Sequence, residues 1–358
     1  MANKKYRAAV IACGRISGAH ASGYKANNID IVACADIKRE ALDAFGDRFG
    51  VPKEGRFLDY NEMLDKVRPD IVSICSLHHL HAPMTIDTAK YKPSAIFCEK
   101  PIALSLGEAD AMIDACNKSG TMLIIGHQRR FAPQYVSAYN SLKDGAIGEL
   151  WSIEAHGHPY TSLLVDGTHT VDLIRWYADD EPIKWVFGQI DARERRSAWG
   201  SLVEDSAIGI FAFNSGIRTI MTFGGTNILK DNERYHDPLW RGVEGANYHH
   251  IILRGTDGHI EIDGDSPTPG RPWVRLMRKG VYEEIPIPQL PAPHAEIIRL
   301  LLDCLETNSR HLLDASSARA TLEVLMAVYE SSRKRSVVQL PLNIKENPLF
   351  EMIEKGEA

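Results

Sequence analysis

The chain has 358 residues, of which 44% are hydrophobic and 25% are charged, and its net charge is −6. The length favours two domains, because a single core seldom grows beyond about 250–300 residues, and the negative charge argues against a nucleic-acid-binding protein, which would show a basic face. No apolar run approaches the length of a membrane span and the N-terminus does not resemble a signal peptide, so we expect a cytoplasmic protein without a membrane partner.

The six cysteines include no Cys-x-x-Cys pair. This spacing argues against a zinc site and against a redox dithiol. We therefore expect small buried side chains in a reducing compartment. The six positions are Cys13, Cys34, Cys75, Cys98, Cys116 and Cys304.

A βαβ unit opens the chain. Residues 7–12 form a predicted strand, a turn covers 13–18, and a helix is expected from about Ile16. The second predicted strand covers 30–36 and ends in an aspartate. Such a unit is the first part of a nucleotide-binding fold.

The first turn is typical of a degraded phosphate-binding loop. Of the three glycines in that motif only the middle one is kept, as Gly14, and Ala12 and Ser17 hold the other two places. Asp36 follows Gly14 by 22 residues (36 − 14), close to the spacing of about 20 for the acid that binds the ribose. The alternative is a tight turn with a solvated aspartate. The pattern favours a dinucleotide site with the cofactor-binding residues Cys13, Gly14, Arg15, Ile16 and Asp36.

Strands and helices then alternate up to residue 127. The predicted helices are 38–49, 60–67, 82–90 and 105–119, and the predicted strands are 70–75, 95–98 and 121–126. This alternation predicts one α/β domain, a Rossmann nucleotide-binding domain over 1–127, with a mostly parallel sheet.

Strand 95–98 ends at Glu99-Lys100-Pro101. Ligands bind outside the carboxyl ends of parallel strands, so Lys100 is expected at a substrate edge. Pro101 should restrict the backbone of Lys100 to an extended conformation. The alternative is a solvated Glu–Lys pair before a loop proline.

Strands dominate after Ile147, with few helices between them. They are expected at 150–156, 183–190, 207–213, 217–223, 250–254 and 259–262, with a hairpin turn at 256–258. Two helices, about 294–307 and 315–334, close the chain. The pattern predicts a second, α+β domain over 128–358 with an antiparallel sheet.

One helix inside this second domain carries His169, Asp172, Leu173 and Trp176 on a single face. A catalytic base beside an orienting acid would have this pattern. An ordinary buried hydrogen bond between His169 and Asp172 would have it too.

With its motifs taken together, the sequence resembles the glucose-fructose oxidoreductase / inositol dehydrogenase / MocA (Gfo/Idh/MocA) family over nearly the whole chain. The motifs are Cys13 to Ser17 with His20, Glu99-Lys100-Pro101, Arg130 to Pro133, Gly145 to Gly148, His169-x-x-Asp172, and Tyr329 to Ser332 followed by Leu340-Pro341. The resemblance implies an NAD(P)-dependent oxidoreductase acting on sugars, cyclitols or their derivatives. It also implies a large open-faced, mostly antiparallel sheet that often pairs with another subunit, so we expect a homodimer or homotetramer.

Carried over by position, Lys100 matches the family's catalytic lysine and His169 its catalytic histidine. Asp172 matches an acid of the substrate pocket. The family's acid or amide four residues before the histidine is replaced by Val165, and Asp166 stands only three before it. We include Asp166 among the expected catalytic and substrate-binding residues, with its role open.

Some of the remaining expected site residues follow from the same resemblance; Tyr160 follows from its place in the loop before the helix of His169, and Tyr235 and Trp240 from a segment rich in groups that stack on or hydrogen-bond to a sugar. His78 of Ser76-Leu77-His78 stands where the family has an asparagine near the cofactor. Further expected cofactor-binding residues are Ser76, His78, His81, Glu99 and Lys100. The expected substrate-binding residues are Lys100, Arg130, Tyr160, Asp166, His169, Asp172, Tyr235 and Trp240, although the loop around Tyr235 and Trp240 could equally be a packed loop or a subunit contact.

The histidines at 78, 79 and 81 raise the question of a metal. They lie in a loop and lack further ligands at metal-site spacing, so no metal is expected.

The expected reaction is hydride transfer between a secondary alcohol and nicotinamide. A histidine side chain is the natural general base, and a lysine can stabilise negative charge developing on the reacting oxygen. The two roles could be exchanged between His169 and Lys100. Asp36 favours NAD because an acid repels a 2′-phosphate, although Lys38 and Arg39 weaken this preference.

The sequence leaves two rival functions open. Some relatives resemble glycosidases that keep NAD bound and return it unchanged after releasing an aglycone. A non-catalytic NAD-binding sensor is the second rival, but it would have no need of Lys100 with His169.

Overall fold

The computed structural model describes residues 5–157, 161–224, 249–265, 267 and 269–357. The chain divides into two compact units. The first is Met1–Phe131 with Pro291–Arg319, and the second is Ala132–Leu290 with Ala320–Ala358. The domain bounds 1–127 and 128–358 stay a prediction, and the main difference from them is that 291–319 packs with the first unit.

The secondary structure of the described residues begins with a strand and ends with a helix. The strands are β1 Arg7–Ile11, β2 Asp30–Ala35, β3 Arg56–Phe57, β4 Ile71–Ile74, β5 Ala95–Cys98, β6 Met122–Ile125, β7 Leu150–His156, β8 Ile183–Asp191, β9 Ser197–Ala198, β10 Ser201–Leu202, β11 Ser206–Phe213, β12 Arg218–Gly224, β13 His250–Gly255, β14 His259–Asp263, β15 Val274–Arg278, β16 Val281–Glu284 and β17 Val338–Gln339. The α-helices are α1 Ser17–Ala26, α2 Arg39–Phe49, α3 Tyr60–Val67, α4 His81–Ala89, α5 Leu106–Ser119, α6 Pro133–Lys143, α7 Thr168–Tyr177, α8 Pro293–Thr307, α9 Ala315–Lys334 and α10 Pro348–Lys355. Short 3-10 turns cover Lys53–Gly55, His78–Leu80 and Gln128–Phe131, and a π-helical turn covers Leu163–Gly167.

The first unit contains a six-stranded parallel sheet in the order β3-β2-β1-β4-β5-β6. Every residue of β4 and β5 is buried, as expected for strands covered on both faces. The strand order reverses between β1 and β4, and in open α/β sheets ligands bind at the carboxyl end of such a switch point. The predicted Rossmann architecture of this unit is confirmed.

Helix α8 explains why 291–319 belongs to the first unit. It packs closely against α1, where a Cβ added at Gly23 would lie 2.8 Å from the carbonyl oxygen of His294. The side-chain amide of Asn27 donates to the carbonyl of Ala295 at 2.8 Å. Glycine at position 23 is therefore required by the close approach of the two helices.

The second unit contains a nine-stranded sheet in its described residues, in the order β16-β15-β14-β13-β7-β12-β11-β8-β17. Only the pair β7 and β12 is parallel among these neighbours, so the sheet is mostly antiparallel, as predicted. Along β8 the buried positions alternate with exposed ones. One face packs on α9, where the Ser331 hydroxyl accepts from the Gly188 amide at 2.8 Å.

Several elements were not predicted. Strands β15, β16 and β17 and helix α10 lack a strong sequence signal, and β3 is only two residues long. The hairpin turn at 256–258 is confirmed, because it joins the antiparallel pair β13 and β14. The six cysteines are buried and unpaired, which confirms their expected packing.

In the part of the chain that the structure describes, no helix is long and apolar enough to cross a bilayer. The cytoplasmic location stays a prediction.

The cap of α5 provides a test of the first unit's stability. The Ser105 hydroxyl accepts from the Glu108 amide at 3.2 Å. We expect Ser105→Ala to lower the free energy of unfolding by about 1 kcal/mol, because a helix-terminal amide loses its partner. Urea unfolding measures the change. Ser105→Asp, which also caps, should retain most of the stability, and an equal loss in both variants would contradict the role given to the cap.

Candidate functional site

The turn after β1 leaves its backbone open at the predicted phosphate position. Ala12 adopts a left-handed conformation (φ 67°) in the place of the first glycine, and its amide donates to the Ala35 carbonyl at 2.8 Å. A Cβ added at Gly14 would meet no protein atom within 4 Å. Helix α1 then begins at Ser17, whose hydroxyl donates to the Gly14 carbonyl at 2.6 Å. The space beside Gly14 is therefore open to a ligand, and the first turn of α1 lies next to it.

Asp36 lies beside this turn because it follows the end of β2. Its carboxylate accepts from the backbone amide of Cys13 at 2.7 Å and from that of Lys38 at 2.8 Å. These two bonds fix the orientation of the carboxylate. The structure thus brings Cys13, Gly14 and Asp36 together, while Arg15 is exposed and Ile16 half-buried in the same turn.

The loop after β4 lies at the same edge of the sheet. His81 is buried, with Nδ1 2.7 Å from the Pro101 carbonyl oxygen and Nε2 3.2 Å from that of Ser76. A neutral ring donates to one of them, and burial lowers the pKa of His81. This histidine links the loop after β4 to the loop after β5.

His78 is buried in the short turn before α4. Its Nδ1 has no hydrogen-bond partner in the described residues. Burial, followed by the charge of Lys100, lowers the pKa of His78 to about 3. The ring is therefore neutral at physiological pH, and the Lys100 ammonium is close enough to affect it.

Glu99 and Lys100 follow the end of β5, and the peptide bond between Lys100 and Pro101 is cis. Glu99 is only 5% exposed, and its Oε1 lies 2.9 Å from His20 Nε2. Lys100 is half-buried. The two side chains are not a solvated ion pair, since Glu99 is directed into the core of the unit.

Arg130 lies in the 3-10 turn after β6 and is fully buried. This turn packs against α8. Its expected contact with substrate stays a prediction.

In the second unit, His169 is 2% exposed and lies in the first turn of α7, a helix whose residues are all buried. Asp172 follows one turn later and is equally buried. The two residues share a helix face, as predicted.

A π-helical turn precedes α7 and carries Asp166. The Gly167 amide donates to the Ser162 carbonyl at 2.9 Å, so this turn holds one more residue than an α-helical turn. The Asp166 carboxylate accepts from the Ser162 amide at 3.2 Å. Asp166 therefore stabilises the start of the turn, and its catalytic role stays a prediction.

Glu204 supports the same turn from within the unit. It is fully buried and accepts from the Leu163 amide and, at 2.7 Å, from the Tyr329 hydroxyl. Burial raises the pKa of Glu204. This acid was not predicted, because its partners are 41 and 125 residues away.

His249 is a neighbour of His169 that sequence reasoning missed. The two rings are 5.7 Å apart and nearly perpendicular. His249 Nδ1 lies 2.6 Å from the Thr170 hydroxyl, and Nε2 lies 4.0 Å from a carboxylate oxygen of Asp265. The only local sequence feature that could have identified His249 was its position just before the strand predicted at 250–254.

Three expected substrate-binding residues, Tyr160, Tyr235 and Trp240, lie outside the described residues. The others occur in two groups. One group is at the carboxyl edge of the parallel sheet, and the other is on and before α7.

Comparison with protein families gives two matches. Residues 6–127 match the NAD-binding Rossmann fold of the Gfo/Idh/MocA oxidoreductases, and residues 140–340 match their C-terminal alpha/beta domain. Together these two matches cover most of the chain.

Curated relatives agree with this result. The chain is 25% identical to a D-apiose dehydrogenase of Paraburkholderia graminis, over 99% of this chain and 94% of the relative. It is 28% identical to a myo-inositol 2-dehydrogenase of Thermotoga maritima, over 72% of this chain and 75% of the relative.

A solved structure shares the fold. The WlbA dehydrogenase from Bordetella pertussis, in complex with NADH and UDP-GlcNAcA, is 19% identical and has a TM-score of 0.72, over 95% of this chain and 100% of that chain. On these matches, the chain belongs to the Gfo/Idh/MocA family of oxidoreductases, with an NAD-binding Rossmann domain and a C-terminal alpha/beta domain.

Proposed function

We propose that this protein is an NAD-dependent dehydrogenase that transfers a hydride between a secondary alcohol of a sugar, cyclitol or sugar derivative and nicotinamide. The observation that carries the proposal is the position of Lys100. It follows β5 at the same sheet edge as the turn around Gly14 and the Asp36 carboxylate. A lysine at this edge is suited to the reacting part of a bound cofactor and substrate.

The residues of the first turn fit a dinucleotide. The open space beside Gly14 leaves room for a pyrophosphate against the backbone, and the start of α1 offers amide groups to its charge. Asp36 still has lone pairs for ribose hydroxyls, since each carboxylate oxygen accepts one backbone bond. When bound, the nicotinamide supplies the hydride chemistry.

Lys100 would donate a hydrogen bond to the reacting oxygen of the substrate. That oxygen gains negative charge as the hydroxyl proton is lost, so an ammonium beside it lowers the barrier.

His169 would accept the hydroxyl proton. It is buried, so a bound alcohol would reach it in surroundings from which most water is excluded. The adjacent His249 ring and the Glu204-supported turn before α7 restrict its orientation. Asp166 or Asp172 would orient His169 or hold a second hydroxyl of the substrate.

The substrate class rests on the names of relatives. The two curated relatives are dehydrogenases of D-apiose and of myo-inositol, and the structural neighbour was solved with a sugar nucleotide. Each of these molecules carries at least one secondary alcohol, which is the group that the proposed chemistry requires.

We further propose that the open face of the large sheet joins two subunits. Phe187, Ile210 and Ile220 lie side by side across β8, β11 and β12. Phe187 is 42% exposed and Ile220 is 44% exposed, and Ile208 on the same face is 53% exposed. An apolar patch of this kind is typical of a protein–protein interface.

The proposed roles are tested by Lys100→Met and His169→Asn. We expect each to lower turnover by about a hundredfold or more, since one loses charge stabilisation and the other the proton acceptor. Wild-type protein is first screened on a panel of sugars, cyclitols and aryl glycosides with NAD. Reduced cofactor and released aglycone are both followed.

NAD binding, measured by fluorescence titration, should change little in both variants, and His311→Asn provides a control at a buried histidine of the first unit. Near-normal turnover in either variant would contradict the assigned role. Aglycone release without accumulation of reduced cofactor would favour the glycosidase alternative, and NAD binding without any turnover on the panel would favour the sensor.

Cofactor preference is tested at Asp36. The wild type should use NAD in preference to NADP, because the fixed carboxylate repels a 2′-phosphate. Asp36→Ser should weaken that preference by about tenfold, measured as the ratio of kcat/KM for the two cofactors. A clear preference of the wild type for NADP would overturn the choice of NAD.

The subunit contact is tested by Ile220→Lys. A charge in the middle of an apolar contact should lower the oligomeric state, measured by sedimentation velocity. Val337→Lys is the control, since Val337 is 51% exposed and lies outside the sheet. If both variants sediment like the wild type, this face is not the contact.

A further inference from the structure

Helix α8 brings a histidine from late in the chain to the residue before Lys100. His294 lies in the first turn of α8, and its Nε2 is 3.8 Å from Glu99 Oε1. That nitrogen is buried and has no hydrogen-bond partner in the described residues. The close packing of α8 on α1 at Gly23 holds this end of the helix in place.

The second histidine at Glu99 is His20, which is held at both ring nitrogens. Its Nε2 lies 2.9 Å from Glu99 Oε1, and its Nδ1 lies 2.9 Å from the Ser73 hydroxyl. Ser73 in turn contacts the Tyr24 hydroxyl at 2.7 Å. With a neutral ring, Nε2–H donates to Glu99 and the Ser73 hydroxyl donates to Nδ1. This chain of bonds fixes His20 in one orientation.

Glu99 is ionised in this environment. Burial alone would raise its pKa, but the hydrogen bond from His20 and the close approach of the His294 ring hold the pKa of Glu99 well below its usual range. Burial lowers the pKa of His20. The cluster therefore contains a carboxylate that depends on its two histidine neighbours.

The Glu99 carboxylate is also confined on its other side. A Cβ at Gly126 would lie 2.8 Å from Glu99 Oε1, so this position accommodates only glycine without a shift of the carboxylate. The Lys100 amide donates to Glu99 Oε2 at 3.4 Å. The carboxylate thus contacts the backbone of the residue that is proposed to bind the reacting oxygen.

We propose that His294, together with His20, holds the Glu99 carboxylate in one orientation, and that Glu99 in turn positions Lys100. His294 and Glu99 are then positioning residues for the reaction. The inference rests on the proposed function, because it takes Lys100 as the group that acts on the substrate oxygen.

The negative charge of Glu99 also favours the protonated state of a nearby amine. Other titratable groups lie around Glu99 and must be considered in any pH profile. They are His20, His294, Cys75, His78, His81, Cys98 and Lys100.

The test compares His294→Leu, His294→Gln and Glu99→Gln with a matched control. We expect His294→Leu to lower kcat by about tenfold to a hundredfold through misplacement of Lys100, with little change in NAD affinity. His294→Gln keeps a polar side chain beside the Glu99 carboxylate and should restore most of the loss. The control is His311→Leu, which removes another buried histidine of the first unit whose partners are the Ile297 carbonyl and the Leu313 amide.

The pH dependence of kcat adds a readout that a merely structural role would not change. In Glu99→Gln the basic limb of the profile should move to lower pH by about one unit, because the charge that favours the protonated amine is lost. If His294→Leu and Glu99→Gln both have the kcat and the pH profile of the wild type, the inference is overturned. An equal loss in His311→Leu would also overturn it.

Metal content is measured in the same samples after treatment with EDTA. His20, Glu99 and His294 offer donor atoms within 4.8 Å of one another. If the wild type holds one divalent ion per chain and His294→Leu loses it, the cluster is a metal site and the positioning role is wrong.

The failure of the proposed function can be distinguished from the failure of this inference. If Lys100→Met keeps its turnover, the proposed function fails. If Lys100→Met is inactive but the Glu99 and His294 variants are normal, only this inference fails.

Discussion

The strands of the six-stranded sheet all run in the same direction, and the position of the candidate cofactor-binding residues in the first unit depends on this constraint. Parallel strands end at one edge, so the segments that follow β1, β2, β4 and β5 meet there although the sequence separates them. Hydrogen bonds between these segments then fix their geometry. Asp36 accepts from the Cys13 amide, and His81 contacts both Ser76 and Pro101.

The second unit positions its histidine in a different way. His169 follows a π-helical turn whose first amide is held by a fully buried acid, Glu204. The Tyr329 hydroxyl of α9 donates to the same acid. The helix that carries His169 is thus tied to the helix that covers the sheet, through contacts between residues that all belong to the second unit.

Much of the fold could be predicted from the sequence, because the evidence for it was local. Strand β5 and helix α3 have the predicted bounds, and helix α5 begins just after Ser105, where the predicted helix starts. The Rossmann turn was identified from Gly14 and Asp36, which depend on a single βαβ unit.

The missed features depend on contacts between distant segments. His294 reaches Glu99 from 195 positions later in the chain (294 − 99), and Glu204 bonds Tyr329 across 125. No pattern of period 2 or 3.6 reports such contacts. The only sequence signal for the π-helical turn at Asp166 was that this acid stands three residues before His169 and not four. The hydrogen bonds of the turn could not be deduced from composition.

The central claim, hydride transfer from a substrate carbon to nicotinamide, is tested most directly with an isotope. A sugar or cyclitol that the enzyme oxidises is prepared with deuterium on the reacting carbon, and the reduced cofactor is isolated and examined by mass spectrometry and NMR. Our account predicts one deuterium at C4 of the reduced nicotinamide. Reduced cofactor without deuterium, or deuterium released to water with the cofactor unchanged, would contradict it.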